Sequence, residues 1–268
     1  MAEGTEGFRA RVAESFGLGR RELVAFVGAG GKKTTAYALC RAASTDGRRA
    51  GYTTTTQSPP AEFPFFSAPA STLSAAVREQ LHTHGSPVGF AAKELSNPQR
   101  ADRKFDGYAP EAISALFADG PLDWVFVKAD GARRREFKAP AQNEPVIPSA
   151  TTLVVPVVSM KAIGEPLGSE RIHRPERITA ITGTGAGDTI TTDTVGQVLA
   201  SEEGGLKDIP PDARVIVLCN KADTPGERAL AREVLAAVWD RTDRIECGLI
   251  TSFTETFCER VVPPEGYV

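Results

Sequence analysis

A run of glycine, lysine and threonine residues directly after a short apolar segment constrains this chain more than any other feature. The apolar segment LVAFV (23–27) has the composition of a buried strand, and GAGGKKTT (28–35) follows it. Glycine permits backbone conformations that other residues avoid, so the run predicts a tight turn between a strand and a helix. Backbone N–H groups in such a turn can converge on an anion, and the start of the helix adds a partial positive charge.

The run therefore predicts a phosphate loop made of Gly28, Ala29, Gly30, Gly31, Lys32, Lys33, Thr34 and Thr35. In one register it forms a shortened GxxGK loop that ends at Lys32, like that of the Mur ligases, and Lys33 takes the hydroxyl position. In the other register Lys33 and Thr34 form the lysine–threonine pair. Thr34 or Thr35 would then contact the metal ion. The competing interpretation is a glycine turn that binds nothing.

Apolar segments alternate with helical patterns along the chain, which is typical of α/β proteins. Strands are predicted at 23–27, 124–127, 153–158, 215–218 and 245–251, and a further short strand is predicted to end at residue 52. Helices are predicted over 35–40, at about 71–82, 191–200 and 227–239, and in a segment that begins at residue 110. Fully apolar strands indicate a mostly parallel sheet flanked by helices, like that of P-loop nucleoside triphosphatases. Pro156 predicts a sheet edge or a bulge. We expect a single domain over 1–268, with irregular insertions at about 57–70, 85–108 and 161–189.

Charge and cysteine content argue against several classes of function. The net charge is −3 and the pI about 5.8, whereas nucleic-acid-binding proteins normally carry a basic surface. No window approaches 18 apolar residues and the charged N-terminus has no signal-peptide core, so we expect no membrane partner. Cys219 and Cys247 lie in apolar segments and are predicted to be buried thiols. Reduced thiols predict a cytoplasmic protein.

Asp130 ends the apolar strand at 124–127 and precedes Gly131. P-loop enzymes place a carboxylate that meets Mg²⁺ at such a strand end. We therefore expect Thr34 and Asp130 to hold Mg²⁺. The alternative is an Asp-Gly turn with no metal, since this dipeptide is common in turns.

The motif Asn220-Lys221-Ala222-Asp223 follows a second apolar strand and reads NKxD. In GTPases this motif recognises guanine, because the aspartate accepts hydrogen bonds from two donors that adenine does not offer together. The pattern favours GTP over ATP as the bound nucleotide, with Asn220, Lys221 and Asp223 at the base. The alternative is that Asp223 or Thr224 only caps the helix that begins near Pro225.

Several blocks together resemble a known family. They are VGAGGKKTT (27–35), TTTT (53–56), ADGARRREFKAPAQNEPVIP (129–148), AIGEPL (162–167), IHRPE (172–176) and LCNKAD (218–223). The chain resembles the YqeC family of accessory proteins of selenium-dependent molybdenum hydroxylases. That family usually reads GAGGKT, so Lys33 is a departure from its pattern. The resemblance implies maturation of a selenium-containing molybdenum cofactor, with that cofactor, a selenium donor or a molybdenum hydroxylase as partner.

The resemblance also singles out charged residues in two of these blocks. Lys138 and the three arginines at 133–135 follow Asp130, and could meet the phosphate of a substrate or cofactor. His173 beside Arg174 could move a proton near neutral pH. The plain alternative is a solvated charged surface. The candidate catalytic residues are therefore Lys32, Lys33, Asp130, Lys138, His173 and Arg174.

These observations favour a Mg²⁺-dependent nucleoside triphosphatase, or an enzyme of phosphoryl or nucleotidyl transfer. Two alternatives remain at this stage. One is a nucleotide-switched delivery protein with little turnover. The other is a Mur-like ATP-dependent ligase, which would have no use for an NKxD motif.

Overall fold

The computed structural model describes residues 4–95 and 103–264. The helices are α1 (Thr5–Phe16), α2 (Lys32–Thr45), α3 (Leu73–His84), α4 (Pro110–Asp119), α5 (Pro175–Thr182), α6 (Thr192–Ala200) and α7 (Pro225–Trp239). The strands are β1 (Glu22–Gly28), β2 (Ala50–Thr54), β3 (Phe65–Ser67), β4 (Val88–Ala91), β5 (Lys93–Glu94), β6 (Phe105–Asp106), β7 (Trp124–Lys128), β8 (Phe137–Lys138), β9 (Leu153–Ser159), β10 (Ile172–His173), β11 (Arg214–Asn220), β12 (Cys247–Ser252) and β13 (Phe257–Val261).

Nine of these strands form one sheet in the order β13-β12-β11-β9-β1-β7-β2-β4-β3. Every neighbouring pair is parallel except β12 with β13. Helices cover the sheet because apolar side chains project from both of its faces. The predicted α/β class, a mostly parallel sheet flanked by helices, is confirmed. Two small sheets, β8 with β10 and β5 with β6, lie beside it.

Strand β1 lies between β7 and β9, so the loop that follows it emerges at the middle of the sheet. The loop after β7 and the loop after β11 open at the same edge, because carboxyl ends of parallel strands coincide. This edge is where open α/β sheets bind their ligands. Strand order therefore brings the glycine run, Asp130 and the NKAD motif to one edge.

The prediction that Pro156 marks a sheet edge or a bulge is wrong. Pro156 lies in β9, which has β1 on one side and β11 on the other. The β9–β11 ladder pairs Val154 with Val215 and resumes at Val157 with Leu218, in the same register. A proline lacks an N–H group, and this interrupts one ladder locally while the strand stays inside the sheet.

The three segments that the sequence left irregular contain short elements. Residues 57–70 include β3, residues 85–108 include β4, β5 and β6, and residues 161–189 include β10 and α5. Positions 96–102 of the second segment lie outside the described residues. Helix α1 and strand β13 are not predicted from the sequence. They pack against each other at one end of the sheet.

The core lies on both faces of the sheet. Val24 and Phe26 of β1 pack with buried residues of α1 and α2, whereas Ala25 and Val27 belong to the opposite face. Cys219 and Cys247 are buried free thiols, as predicted. Within 4–95 and 103–264, no helix has the length and apolar character needed to cross a lipid bilayer.

We expect Phe26→Ala to lower the free energy of unfolding by about 3–5 kcal/mol, because it leaves a cavity under the strand that precedes the glycine loop. Phe26 is fully buried and its ring lies 6.4 Å from those of Phe16 and Phe126. Urea unfolding measures the loss. Val262→Ala, at a position 60% exposed, is the matched control and should stay within about 0.5 kcal/mol of wild type.

Candidate functional site

The glycine loop of residues 28–31 joins β1 to α2 and is packed tightly against neighbouring strands. Gly28 has φ 84°, and a Cβ there would lie 2.3 Å from the Val157 carbonyl oxygen. Gly31 has φ 144°, and a Cβ there would lie 1.9 Å from Asn220 Nδ2. No other residue fits either position, because both the conformation and the space exclude a side chain. Close packing against the protein therefore explains part of the glycine content, independently of any ligand.

Asn220 holds this loop in place. Its Nδ2 donates a hydrogen bond to the Gly30 carbonyl oxygen at 2.8 Å, and its Oδ1 accepts one from Thr251 Oγ1 at 2.9 Å. The side chain is buried, so both ends of the amide are satisfied within the protein. The structure thus places Asn220 under the loop, where it positions the loop backbone.

Asp130 lies directly behind the glycine loop in an ion cluster, which we define as Lys32, Asp130, Lys138, Glu144 and Arg174; the first three are buried and the last two are half-buried. Asp130 Oδ2 accepts a hydrogen bond from Gly28 N at 2.8 Å and lies 2.9 Å from Lys138 Nζ. Its Oδ1 lies 2.7 Å from Lys32 Nζ, an ion pair without hydrogen-bond alignment. Burial opposes the charge of Asp130, but the two lysines outweigh it and hold its pKa below the usual range.

Lys32 is the first residue of α2, and its ammonium group reaches back across the loop to the Gly28 carbonyl oxygen. Burial lowers the pKa of Lys32, and Asp130 offsets this only in part. Two buried lysines therefore share the single carboxylate of Asp130. The ion cluster as a whole has three cations and two carboxylates, which leaves one net positive charge that an anion could neutralise.

Glu144 connects the cluster to the 172–174 segment. Its carboxylate lies 2.6 Å from both Lys138 Nζ and Arg174 Nη1. Burial opposes the charge, but the hydrogen bonds from Arg174 and Lys138 bring the pKa of Glu144 down to about 2. His173 pairs with Lys138 in the β8–β10 ladder. Burial and the nearby Arg174 lower the pKa of His173, so the ring is neutral at neutral pH.

The arrangement does not fit direct binding of Mg²⁺ by Asp130. Both carboxylate oxygens already face ammonium groups within 3 Å. In residues 4–95 and 103–264, no three His, Cys, Asp or Glu side chains form a group that could hold a metal. Thr34 is exposed at the start of α2, whereas the Thr35 hydroxyl donates to the Gly31 carbonyl oxygen. Of the predicted metal contacts, Thr34 alone remains accessible.

A cleft of about 680 Å³ opens in front of the glycine loop. Its other walls are the segment 56–59 after β2 and the segment 131–135 after β7. One carboxylate, Glu144, lines it, together with eight cationic side chains: Lys32, Lys33, Lys104, Lys128, Arg133, Arg134, Arg135 and Lys221. Its volume is typical of small-ligand sites. The cleft is therefore suited to an anion with several negative charges.

The NKAD motif lies at the side of this cleft. Lys221 lines the cleft and pairs with Glu136 at 2.8 Å. Asp223 accepts a hydrogen bond from Ser252 Oγ at 2.7 Å and lies 3.0 Å from Lys161 Nζ. The cap of α7 is Thr224, in a capping box with Glu227. Capping therefore does not account for Asp223.

Three functional candidates lay outside the sequence-based prediction. The first is Lys128, which donates hydrogen bonds to Thr56 Oγ1 at 2.6 Å and to the Gln57 carbonyl oxygen at 3.2 Å. Burial, and to a smaller extent repulsion by Lys32, lowers the pKa of Lys128 to about 7. The sequence feature that could have identified Lys128 is its position directly after the apolar segment WVFV (124–127). Lys104 and Lys161 had no such signal, since their neighbours in the site are distant in sequence.

Comparison with known proteins gives one family. The family described as YqeC protein matches residues 24–176, which is more than half of the chain. The protein YqeC of Escherichia coli (strain K12) is 29% identical over 220 residues, which cover 81% of this chain and 82% of that protein. The solved structure of hydrogenase maturation factor HypB from Archaeoglobus fulgidus aligns with a TM-score of 0.39 and 11% identity, over 93% of this chain and 90% of that one. The family match includes the glycine loop and the whole ion cluster, and ends before the NKAD motif.

We expect Asp130→Asn to lower the free energy of unfolding by about 3–5 kcal/mol in the absence of metal and nucleotide, because it leaves Lys32 buried without a counter-charge and Lys138 with Glu144 alone. Asp119→Asn, at an exposed helix end, is the control and should change it by less than about 0.5 kcal/mol. In addition, Lys32→Met combined with Asp130→Asn should cost less than the sum of the two single changes. An unchanged stability for Asp130→Asn would mean that Asp130 is only a turn residue.

The pKa of Glu144 predicts a pH dependence of stability. The folded state lowers this pKa from 4.5 to about 2, so the carboxylate stabilises the protein above about pH 4.5, and this contribution is lost as the pH falls toward about 2. We expect the stability difference between wild type and Glu144→Gln to shrink over that range in urea unfolding. A difference that is constant from pH 6 to pH 3 would contradict the ion pairs with Lys138 and Arg174.

Proposed function

The chain belongs to the YqeC family, and on that premise we propose that it is a nucleotide-binding accessory protein in the maturation of the selenium-containing molybdenum cofactor of molybdenum hydroxylases. The glycine loop would bind the phosphates of a nucleoside triphosphate, with GTP preferred over ATP. The cofactor, a selenium donor or a hydroxylase would be the partner. The resemblance of the sequence blocks at 27–35, 129–148 and 172–176 to that family supports the cofactor role.

The observation that carries nucleotide binding is the excess of positive charge at the glycine loop. The loop sits at the start of α2, is followed at once by Lys32 and Lys33, and opens into a cleft in which Glu144 is the one lining carboxylate. A helix N-terminus and converging cations stabilise phosphate groups together. A glycine turn that binds nothing does not explain the buried positive charge behind it.

Of the two lysines that follow the glycine loop, Lys32 is the one that we assign to the phosphates. Its ammonium already lies against the Gly28 carbonyl oxygen and Asp130, at the closed end of the loop. Lys33 adds a second cation from the cleft, where it lies 5.3 Å from the centre of the Tyr37 ring. Mg²⁺ in nucleotide sites is held largely by the phosphates and water. Thr34 would be its protein contact, with Asp130 as the counter-ion of the lysines.

The preference for guanine is assigned to Asp223. Thr224 caps α7, so the Asp223 carboxylate is not needed for the helix. Ser252 Oγ and Lys161 orient it from the neighbouring loops, and they lower its pKa, so it accepts hydrogen bonds at neutral pH. A bound base with two adjacent hydrogen-bond donors would replace some of the contacts that Ser252 and Lys161 make with the Asp223 carboxylate. Adenine does not offer that pair.

Calorimetric titration of GTP, GDP and ATP with Mg²⁺ tests the proposal. We expect GTP to bind at least about tenfold more tightly than ATP, and Asp223→Asn to weaken GTP by about 10- to 100-fold, as expected for loss of a charged hydrogen-bond acceptor. Release of inorganic phosphate from the bound nucleotide measures turnover in the same samples.

The matched control is Asp212→Asn, an exposed carboxylate at the opposite end of β11, which should leave GTP affinity unchanged. No binding of any nucleotide would overturn the proposed function. Equal affinity for GTP and ATP, or an unaffected Asp223→Asn variant, would overturn the guanine assignment alone.

A further inference from the structure

The same cleft carries more unpaired positive charge than one nucleotide requires. Lys32 and Lys221 have carboxylates within 4 Å, whereas the other six basic side chains of the cleft have no such partner among residues 4–95 and 103–264. Lys128, whose pKa is about 7, is partly neutral at neutral pH, and the remaining five are Lys33, Lys104, Arg133, Arg134 and Arg135. Mg²⁺ would itself cancel part of the charge of a bound triphosphate. Cations collected in one concave site without counter-charges repel one another, so they indicate a ligand that supplies the missing negative charge.

We infer that the cleft has a second anion-binding subsite, formed by Arg133, Arg134 and Lys104, for the phosphate group of a small-molecule substrate that binds together with the nucleotide. We call these three residues the arginine subsite. This inference deepens the proposed function and rests on it, because it assigns the glycine loop to the nucleotide. The ligand class is a phosphomonoester or a diphosphate.

The backbone holds the arginines in a defined turn. Arg133 and Arg134 have φ of 47° and 61°, a conformation that non-glycine residues rarely adopt in succession. Arg135 N donates to the Ala132 carbonyl oxygen at 2.8 Å and closes the turn. Both arginines are exposed and line the cleft. Such strain is found where a site needs a fixed geometry.

The turn is also anchored to the glycine loop. The Glu136 carbonyl oxygen accepts a hydrogen bond from Ser159 N at 3.1 Å and would lie 3.0 Å from a Cβ on Gly30. The Glu136 carboxylate is held by Lys221 of the NKAD motif. Two elements that we assign to the nucleotide therefore position the arginines beside it.

Lys104 approaches from the opposite wall. Ser58 exchanges two backbone hydrogen bonds with Phe105, at 3.0 and 2.9 Å, and this places Lys104 beside the 56–59 segment that lines the cleft. A ligand between the two walls would face a guanidinium pair on one side and an ammonium on the other. Guanidinium groups can bind two oxygens of a phosphate or of a carboxylate. Three cations around one small ligand favour the phosphate, because it carries more negative charge than a carboxylate.

The volume of the cleft and the charge of the chain favour a small molecule over a nucleic acid. A cleft of about 680 Å³ is typical of small-ligand sites. The whole chain carries a net charge of −3. A nucleic-acid-binding surface would extend its positive charge well beyond one cleft.

The test is calorimetric titration of inorganic pyrophosphate into the full chain saturated with Mg²⁺ and a non-hydrolysable GTP analogue. We expect one pyrophosphate to bind per chain. In Arg133→Gln/Arg134→Gln that affinity should fall at least about tenfold, because two charged hydrogen-bond donors are lost, while affinity for the GTP analogue falls no more than about threefold. The control is Arg20→Gln/Arg21→Gln, two adjacent exposed arginines before β1, which should bind both ligands like wild type.

Other outcomes overturn the inference in distinguishable ways. If saturating GTP analogue abolishes pyrophosphate binding, or if the arginine variant loses both ligands equally, the cleft has a single site and only the nucleotide proposal survives. Tight binding of a single-stranded oligonucleotide that depends on the same two arginines would replace the small molecule with a nucleic acid. If no nucleotide binds, the proposed function fails. In that case one pyrophosphate per chain, retained in Lys32→Met and lost in Arg133→Gln/Arg134→Gln, would still support the arginine subsite.

Discussion

The buried ion pair between Asp130 and Lys32 is the interaction on which the rest of this site depends. It joins the end of β7 to the start of α2, and the same carboxylate accepts a hydrogen bond from the amide of Gly28. Lys138 adds a second cation at 2.9 Å. The cluster as a whole has three cations and two carboxylates, which leaves one excess positive charge in a largely buried region, where electrostatic interactions are strong. The glycine loop is thus built over a positive charge that the fold itself does not fully neutralise.

This excess charge connects the structural and functional roles of the cluster. Glu144 and Arg174 complete the cluster, and each ionic contact there joins opposite charges. Toward the cleft the balance is different, since Lys128 has hydroxyl and carbonyl partners rather than a carboxylate. Within this site, the lysines and arginines without a carboxylate partner among residues 4–95 and 103–264 lie on the side that is open to a ligand. That asymmetry is the physical basis for assigning an anion site to this edge of the sheet.

Much of the architecture could be predicted from local patterns. Runs of apolar residues identified the central strands, and Pro110 and Pro225 lie in the first turn of α4 and α7. These features depend on backbone propensity and burial, which neighbouring residues largely decide. Pro156 shows the limit of such reasoning: proline disfavours a central strand, yet close neighbours on both sides keep β9 inside the sheet.

The sequence by itself determined that a strand, a glycine loop and a helix follow one another, and that polar motifs stand at strand ends. Only the tertiary structure decided what those residues contact. The motif predicts a role for Asn220 at a base, but its hydrogen bond to Gly30, 190 positions away, follows only from the order of the strands. Lys104 joined the cleft only through the pairing of its neighbour with Ser58. Ion pairs and packing contacts act over a few ångströms in space. Residues distant in sequence become partners only when the order of the strands brings them together.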